Sequence, residues 1–126
     1  VCLSAVTQKK GELTPEEEAF VRANGYVWGC DVCQIVCPAN TGAEHTKIPE
    51  FCGQSGAEIV KSLDCQELSE LGRQGIEDKY RNRAFMWRGS GVLIRNAALV
   101  ADNPGSPADA HGAEGEIPEN NQRKKK

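Results

Sequence analysis

The stretch YVWGCDVCQIVCPAN, from Tyr26 to Asn40, holds half of the chain's six cysteines within eight positions. Cys30 and Cys33 are three positions apart, so a tight turn brings their sulfurs side by side, as two ligands of one metal centre require. Cys37 comes one position later than a repeat of that spacing. Pro38 has no N–H and cannot continue a helix, so it ends the turn and directs the third thiol away from the first two. The pattern favours a metal-binding turn.

Iron–sulfur sites of the bacterial ferredoxin type provide a template for this turn. They use C-x2-C-x2-C-x3-C-P, in which the last cysteine binds the other cluster of a two-cluster protein. On that template Cys30, Cys33 and Cys37 take the second, third and fourth places, and Val27 stands where the first cysteine belongs. Because a cubane cluster requires four ligands, one must come from elsewhere, and Cys2 is the nearest candidate in sequence.

Three other interpretations of the turn stay open from the residues alone. Zinc also binds C-x2-C, although its sites usually combine two such units and only one is present here. A redox disulfide of the thioredoxin type requires a strand before the motif and an alternating parallel pattern, which is missing. The third interpretation is ordinary buried thiols, which is what we expect of Cys52 and Cys65 because neither has metal-ligand spacing. The histidine of the following loop, His45, is expected to be exposed to solvent.

Composition limits the fold and its partners. A chain of 126 residues allows one small domain at most. Hydrophobic residues make up 39% and aromatic residues 6%, so the core is marginal and a cofactor or a neighbouring domain is needed. The net charge of -3 argues against a general nucleic-acid footprint but leaves room for a local basic patch.

Cysteine usage indicates the compartment. We find no secretory leader and no apolar run long enough to span a membrane, so clustered C-x2-C cysteines indicate metal binding in a reducing cytoplasm, with no membrane partner. The chain starts with Val1 rather than methionine, and we therefore expect a fragment whose amino-terminal part is missing.

Local signals predict the helices. Thr14 as N-cap, Pro15 at the first helical position and Glu17 three residues after the cap predict a helix that ends at Asn24-Gly25. Three further stretches have an amphipathic or apolar pattern: 57–71, broken around Asp64, then 76–87, then 92–101.

Basic and aromatic side chains alternate in the stretch 76–87 and just after it, where Arg81, Arg83 and Arg88 lie among Tyr80, Phe85 and Trp87. This pattern suits contact with RNA phosphates, but it also suits arginines whose stems cover the edge of a core. After Asn103 the apolar side chains nearly vanish, which predicts a disordered tail that ends in a basic RKKK run.

Three segments together resemble the carboxy-terminal part of the epoxyqueuosine reductase family, whose members carry a double 4Fe-4S cluster domain. They are CLSAVTQKKG at 2–11, GCDVCQIVCPAN at 29–40, and RAFMWRG at 83–89 followed by LIRNAAL at 93–99. The cysteine run alone is a general iron–sulfur signal, whereas the three segments in this order are much more specific. The resemblance extends over roughly residues 1–102.

The resemblance implies a cytosolic enzyme that uses cobalamin and two 4Fe-4S clusters to remove the epoxide oxygen of epoxyqueuosine in the anticodon loop of tRNA. It further implies that Cys2, Cys30 and Cys33 hold one cluster with the last cysteine of an upstream run, and that Cys37 completes the other cluster. That upstream run, the cobalamin-binding domain and the catalytic acid of the family are not in this sequence.

We therefore expect a mainly α chain in three parts. Residues 1–50 form the second half of a double 4Fe-4S, ferredoxin-like domain, 51–102 a short helical extension, and 103–126 the polar tail. Its expected role is electron transfer, with a missing catalytic domain, an electron donor protein and tRNA as partners. The alternatives are a stand-alone ferredoxin-type carrier and a zinc-stabilised interaction module.

Overall fold

The structure, a computed structural model, describes residues 1–44, 46–51, 59–60 and 62–103. His45, Cys52 and the tail from residue 104 onward lie outside the described residues, so the expectations for them stay predictions. The described ranges contain helices and no β-strand: α1 (Leu3–Thr7), α2 (Pro15–Asn24), α3 (Val32–Ile35), a 3-10 turn (Pro38–Asn40), α4 (Cys65–Tyr80), a second 3-10 turn (Ala84–Arg88) and α5 (Ser90–Ala101). The mainly α prediction is confirmed, and the ferredoxin-like arrangement stays a prediction.

Helix α2 begins and ends where its local signals predict. The Thr14 hydroxyl accepts a hydrogen bond from the Glu17 N–H at 3.3 Å, and the Glu17 carboxylate accepts one from the Thr14 N–H at 2.8 Å. At the other end Gly25 adopts a left-handed conformation with φ of 69°, which a residue without Cβ adopts at little cost. Local sequence alone therefore fixes this helix.

Glu17 links the cap of α2 to the end of α1. Lys9 donates a hydrogen bond to its carboxylate at 2.7 Å, and this bond, followed by the one from the Thr14 N–H, lowers the pKa of Glu17 below its ordinary value of 4.5. A carboxylate with a lowered folded-state pKa stabilises the fold above its ordinary pKa, and this stabilisation is lost as the pH falls through the lowered value. The contribution is thus present at neutral pH and absent in strong acid.

We expect Glu17→Gln to be less stable than the parent chain at pH 7 and to approach it as the pH falls below 4.5. Glutamine keeps an acceptor for the Thr14 N–H, so the change isolates the charge. Urea denaturation across this pH range measures the difference. Glu12→Gln, at an exposed position just before the cap, is the control and should change stability equally little at every pH. A pH-independent loss in Glu17→Gln would contradict the expectation.

Helix α5 forms the centre of the fold. It packs against α4, α2 and the second 3-10 turn, and α1 packs against α2. Leu93 of α5, Ile76 of α4 and Val21 of α2 are fully buried and belong to the same core cluster. This position of α5 matters for the site, because its polar residues reach the loops on either side of α2.

The predicted breaks near Asp64 and between 71 and 76 are present, whereas one helix was not predicted. Asp64, where the sequence predicted a break, is the N-cap of α4, and its carboxylate accepts the Glu67 N–H at 2.7 Å. Gly72, whose φ of 59° and ψ of -172° are not helical, divides α4 at a kink, so a break does lie between the predicted stretches 57–71 and 76–87, and the second half ends at Tyr80. Helix α1 was not predicted. None of the helices in the described ranges combines the length and apolar character that a bilayer crossing demands.

Candidate metal centre

The three clustered cysteines lie on one short surface segment. Cys30 is half-buried and packs against the core, Cys33 is exposed within α3, and Cys37 is half-buried immediately before the turn that starts at Pro38. The carbonyl of Asp31 accepts the first α3 hydrogen bonds from Gln34 and Ile35 at 2.9 Å each. The segment thus turns once between Cys30 and Cys37 and the turn ends before Pro38, as the sequence predicted, whereas the new turn that starts at Pro38 was not predicted.

Asn40 closes the turn that carries Cys37. Its amide Nδ2 donates to the backbone carbonyl of Gln34 at 2.9 Å and to the Gln34 side-chain oxygen at 3.0 Å. The Asn40 N–H also donates to the Cys37 carbonyl at 3.0 Å. These bonds hold the Cys37 backbone beside the end of α3. Asn40 is therefore a positioning residue for Cys37.

Cys2, the fourth predicted ligand, lies on a different element. It is exposed and occupies the N-cap position of α1, and its carbonyl accepts the first hydrogen bonds of that helix from Ala5 and Val6. The far end of the same helix is tied to the cysteine segment, since the Thr7 hydroxyl accepts a hydrogen bond from the Gly29 N–H at 3.1 Å. One helix thus links Cys2 to the residue just before Cys30.

Asn96 of α5 clamps these two elements together. Its side chain is fully buried, and its Nδ2 donates to the Thr7 carbonyl at 2.7 Å and to the Val27 carbonyl at 2.8 Å. Both acceptors are backbone groups that would otherwise lack a donor in the core, where an unpaired polar group is costly. The Asn96 amide therefore sets how α1 lies against the segment that leads into Cys30.

Arg95 fixes the orientation of that amide. Its Nε and Nη2 donate to the Asn96 Oδ1 at 3.0 and 2.9 Å, which leaves both Asn96 N–H groups for the carbonyls. Its Nη1 donates to the carbonyls of Lys9 and Gly11 at 2.9 and 2.5 Å, in the loop after α1. Burial lowers the pKa of Arg95, but a guanidinium stays charged at neutral pH. The pair Arg95 and Asn96 organises both loops around the site.

The four predicted ligands have the right chemistry, but the described structure does not gather them into one metal-binding group. Each is a free thiol, as a cluster ligand must be before it binds iron. Within the described ranges, however, no three side chains of His, Cys, Asp or Glu lie in a group that could hold a metal ion. The ligand roles of Cys2, Cys30, Cys33 and Cys37 stay predictions.

Apolar side chains beside the cysteines face solvent. Val32, Ile35 and Val36 are 48%, 75% and 69% exposed, and α3 buries none of its residues. Tyr26 and Trp28, just before the segment, are half-buried and pack against the core. The cysteine segment thus follows residues that the core supports, and its own apolar side chains are uncovered within the described chain. Cys65 is half-buried against the core, as expected of a structural thiol.

Curated proteins similar to this chain carry one recurring name. An epoxyqueuosine reductase from Bacillus cereus is 36% identical over 99 residues, and one from Bacillus subtilis is 34% identical over 99 residues. These alignments cover 79% of this chain but 25% and 24% of the two relatives. An uncharacterised protein in the gldA 3′ region of Geobacillus stearothermophilus is 31% identical over 99 residues, which is 44% of its length. No protein-family model and no solved structure matches the chain.

These similarities confirm the resemblance to epoxyqueuosine reductases that the three sequence segments indicate. The chain spans about a quarter of the length of the reductases it matches.

Proposed function

We propose that this chain is the iron–sulfur, electron-transferring part of an epoxyqueuosine reductase-like, cobalamin-dependent enzyme that acts in tRNA queuosine synthesis. The main observation in support is the surface segment with three free thiols, held against α1 by Asn96. The similarity to proteins named epoxyqueuosine reductase gives the reaction class, that of an oxidoreductase in queuosine and tRNA processing.

The proposed ligand assignment follows the family pattern. Cys2, Cys30 and Cys33 hold one 4Fe-4S cluster together with a cysteine from the upstream run, and Cys37 is a ligand of the second cluster. A 4Fe-4S cluster, when bound, accepts and donates one electron at a time. The backbone of this chain fixes two of these ligands: α3 carries Cys33, and the Asn40 hydrogen bonds hold Cys37 beside the end of that helix.

The surroundings of Cys30 suit a redox centre. Cys30, Tyr26 and Trp28 all pack against the core cluster, so this side of the segment is shielded from water. The access of water and the dielectric around a metal site control its reduction potential. In the proposed enzyme the two aromatic side chains keep water away from the Cys30 thiolate, and the core holds that thiolate in place.

The uncovered side of the segment is the proposed contact with the rest of the enzyme. Exposed Val32, Ile35 and Val36 lie next to the cysteines, and apolar surface gains stability when a neighbouring domain removes it from water. We propose that the catalytic part, with the upstream cysteine run and the cobalamin site, covers this surface. The other proposed partners are an electron donor protein and tRNA, and the proposed location is the cytoplasm.

The proposed reaction sets a requirement for the electron path. Removal of an epoxide oxygen as water consumes two electrons and two protons. Both carbon–oxygen bonds of the epoxide break, and the bond between its two carbons becomes a double bond. A one-electron carrier must therefore deliver twice in each turnover. The role assigned to this chain is delivery, and the bond-breaking step belongs to the catalytic part.

Metal analysis after anaerobic reconstitution of the full-length gene product tests the proposal. We expect about eight iron atoms per protein, from two cubane clusters, with a broad visible absorbance that fades on reduction. The 126-residue chain alone should take up less than half of that iron per molecule, because it supplies three ligands of one cluster and one of the other. About one zinc per chain, without colour, would overturn the iron assignment in favour of a zinc-stabilised module.

A second measurement separates the proposed enzyme from a stand-alone electron carrier. The reconstituted full-length protein, given a reductant and an epoxyqueuosine-containing tRNA anticodon stem-loop, should convert epoxyqueuosine to queuosine. Iron-loaded protein that accepts electrons without this conversion would support the ferredoxin-type carrier instead.

A further inference from the structure

A basic cleft lies on the side of α5 where that helix begins. Its volume is about 460 Å³, and the first turn of α5, helix α4 and the loop after α1 form its walls. Four cationic side chains line it, namely Lys10, Arg73, Arg88 and Arg95, together with one carboxylate, that of Glu77. None of these residues has a role in the proposed cluster ligation, so the cleft requires an explanation of its own.

The first turn of α5 has no side-chain cap. Its N-cap residue is Gly89, with φ of 90° and ψ of 160°, a conformation that only glycine adopts readily. The Ser90 hydroxyl, which could have served as a cap, instead donates to the Glu77 carboxylate at 2.8 Å. The N–H groups at the start of this twelve-residue helix thus lack a side-chain acceptor, and the helix dipole places partial positive charge there.

Arg73 lies over this uncapped turn. A Cβ built on Gly91 would be 3.6 Å from Nη2 of Arg73 and 3.8 Å from its Cζ, so the guanidinium packs against the helix start where no side chain intervenes. Within the described residues Arg73 has no carboxylate partner within ion-pair distance, and its side chain comes from an exposed position on α4. Its charge is held at the turn without an ion pair among the described residues.

Arg88 contributes a second unmatched donor. Its guanidinium stacks on the Trp87 ring, with Cζ 3.7 Å from the ring centroid. Its Nε atom is buried and has no hydrogen-bond partner in the described part of the chain. A buried donor without an acceptor costs about 1–3 kcal/mol, so Arg88 has hydrogen-bonding capacity that the described part of the chain does not use.

The charges of the cleft do not balance. The nitrogens of Arg95 are engaged with Asn96 and with two carbonyls, whereas Glu77 holds the Ser90 hydroxyl. Four cationic side chains thus face the one carboxylate of Glu77, which keeps its charge when it accepts the Ser90 hydroxyl, so the lining of the cleft has an excess of positive charge. Guanidinium groups bind phosphate oxygens through paired hydrogen bonds, and helix N-termini bind the same group through backbone N–H.

From this arrangement we propose that the cleft at the start of α5 is a phosphate-binding site. The N–H groups of the first turn and the guanidinium groups of Arg73 and Arg88 contact the phosphate oxygens, and Lys10 adds charge at the rim. The cleft is larger than one phosphate, so the ligand is a phosphate ester. A nucleotide and the backbone of RNA both present this chemistry. The site is independent of the proposed electron-transfer role.

Titration of the isotope-labelled 126-residue chain by NMR tests the site. Inorganic phosphate and adenosine 5′-monophosphate are added at constant ionic strength, with chloride as the reference anion. We expect the Ser90 and Gly91 amide resonances to shift with both phosphates and not with chloride. Arg73→Gln should weaken this binding about tenfold, since it removes one charge-assisted contact. Because Arg73 is exposed, this variant is expected to fold like the parent chain, and the dispersion of its amide resonances in the same spectra checks this.

Arg81→Gln is the matched control. It removes the same charge at the end of the same helix, but Arg81 pairs with Asp78 and does not line the cleft, so its affinity for phosphate should stay within about twofold. Equal weakening in both variants, or shifts no larger than those with chloride, would overturn the proposal.

A third ligand, an RNA hairpin, separates the two sources of the phosphate. Hairpin binding that is tighter than that of the mononucleotide and is weakened by Arg73→Gln assigns the site to an RNA backbone. Mononucleotide binding that is at least as tight as hairpin binding, with the same dependence on Arg73, assigns it to a free phosphate ester.

Discussion

Replacing Cys33 with serine in the full-length protein is expected to remove about four iron atoms of about eight, the content of one cubane cluster. A serine hydroxyl is a poor ligand for iron, so one cluster loses a bond. Because Cys33 is exposed and α3 buries none of its residues, the substitution removes no core contact. Iron and acid-labile sulfide analysis after anaerobic reconstitution measures the loss.

Cys65→Ser is the matched control for this experiment. Cys65 is also a cysteine, but it lies at the start of α4 and packs against the core, away from the predicted ligand pattern. We expect its iron content to equal that of the parent protein, even if the variant is slightly less stable. A full iron complement in Cys33→Ser, or equal losses in the two variants, would contradict the ligand assignment.

Helix α2 shows what the sequence predicts well. Its cap, its first turn and its stop depend on residues no more than four positions apart, namely Thr14 with Glu17 and Gly25 with Val21. Such signals act within the segment itself, so no knowledge of the tertiary structure is needed. The same holds for Pro38, which lacks an N–H and was predicted to end the turn that carries the cysteines, as it does.

Helix α4 shows where the sequence was insufficient. Its apolar pattern is interrupted by polar residues around Gly72, and a glycine with φ of 59° would normally end a helix. The break between the predicted stretches 57–71 and 76–87 lies at Gly72, and Leu68 and Ile76, in the halves on either side of it, are both buried in the core cluster. How the two halves lie relative to each other depends on their packing against α5, more than a dozen residues further along the chain, which a pattern within α4 does not reveal.

The candidate site also has a part that the sequence predicts and a part that it does not reveal. The spacing of Cys30, Cys33 and Cys37 indicates their chemistry directly, whereas the role of Asn96 is not apparent from its own segment. In the sequence, Arg95 and Asn96 only interrupt an apolar stretch. A polar pair in the middle of a helix that is otherwise buried was the available signal, because buried polar groups require partners. Those partners lie 69 to 89 positions away.

Asn96→Leu is expected to lower the free energy of unfolding by about 3 kcal/mol, because two buried carbonyls lose their donor and each unpaired group costs about 1–3 kcal/mol. Leucine has the same branching and number of side-chain heavy atoms as asparagine and favours helix, so helix propensity does not explain a loss. The acceptors affected are the carbonyls of Thr7 and Val27, on the two elements that lead to Cys2 and Cys30. Urea denaturation at neutral pH, read by far-UV circular dichroism, measures the change.

Asn103→Ala provides the matched comparison, since Asn103 also donates its side-chain amide to a backbone carbonyl on another element, that of Arg22 at the end of α2. This bond is only partly buried, so water can replace the donor and the expected loss is about 1 kcal/mol or less. The two variants differ in burial and in the number of carbonyls left unpaired. If both cost the same, Asn96 is an ordinary polar contact. If Asn96→Leu alone also accelerates iron loss from the reconstituted protein, the clamp between α1 and the cysteine segment holds the cluster ligands in place.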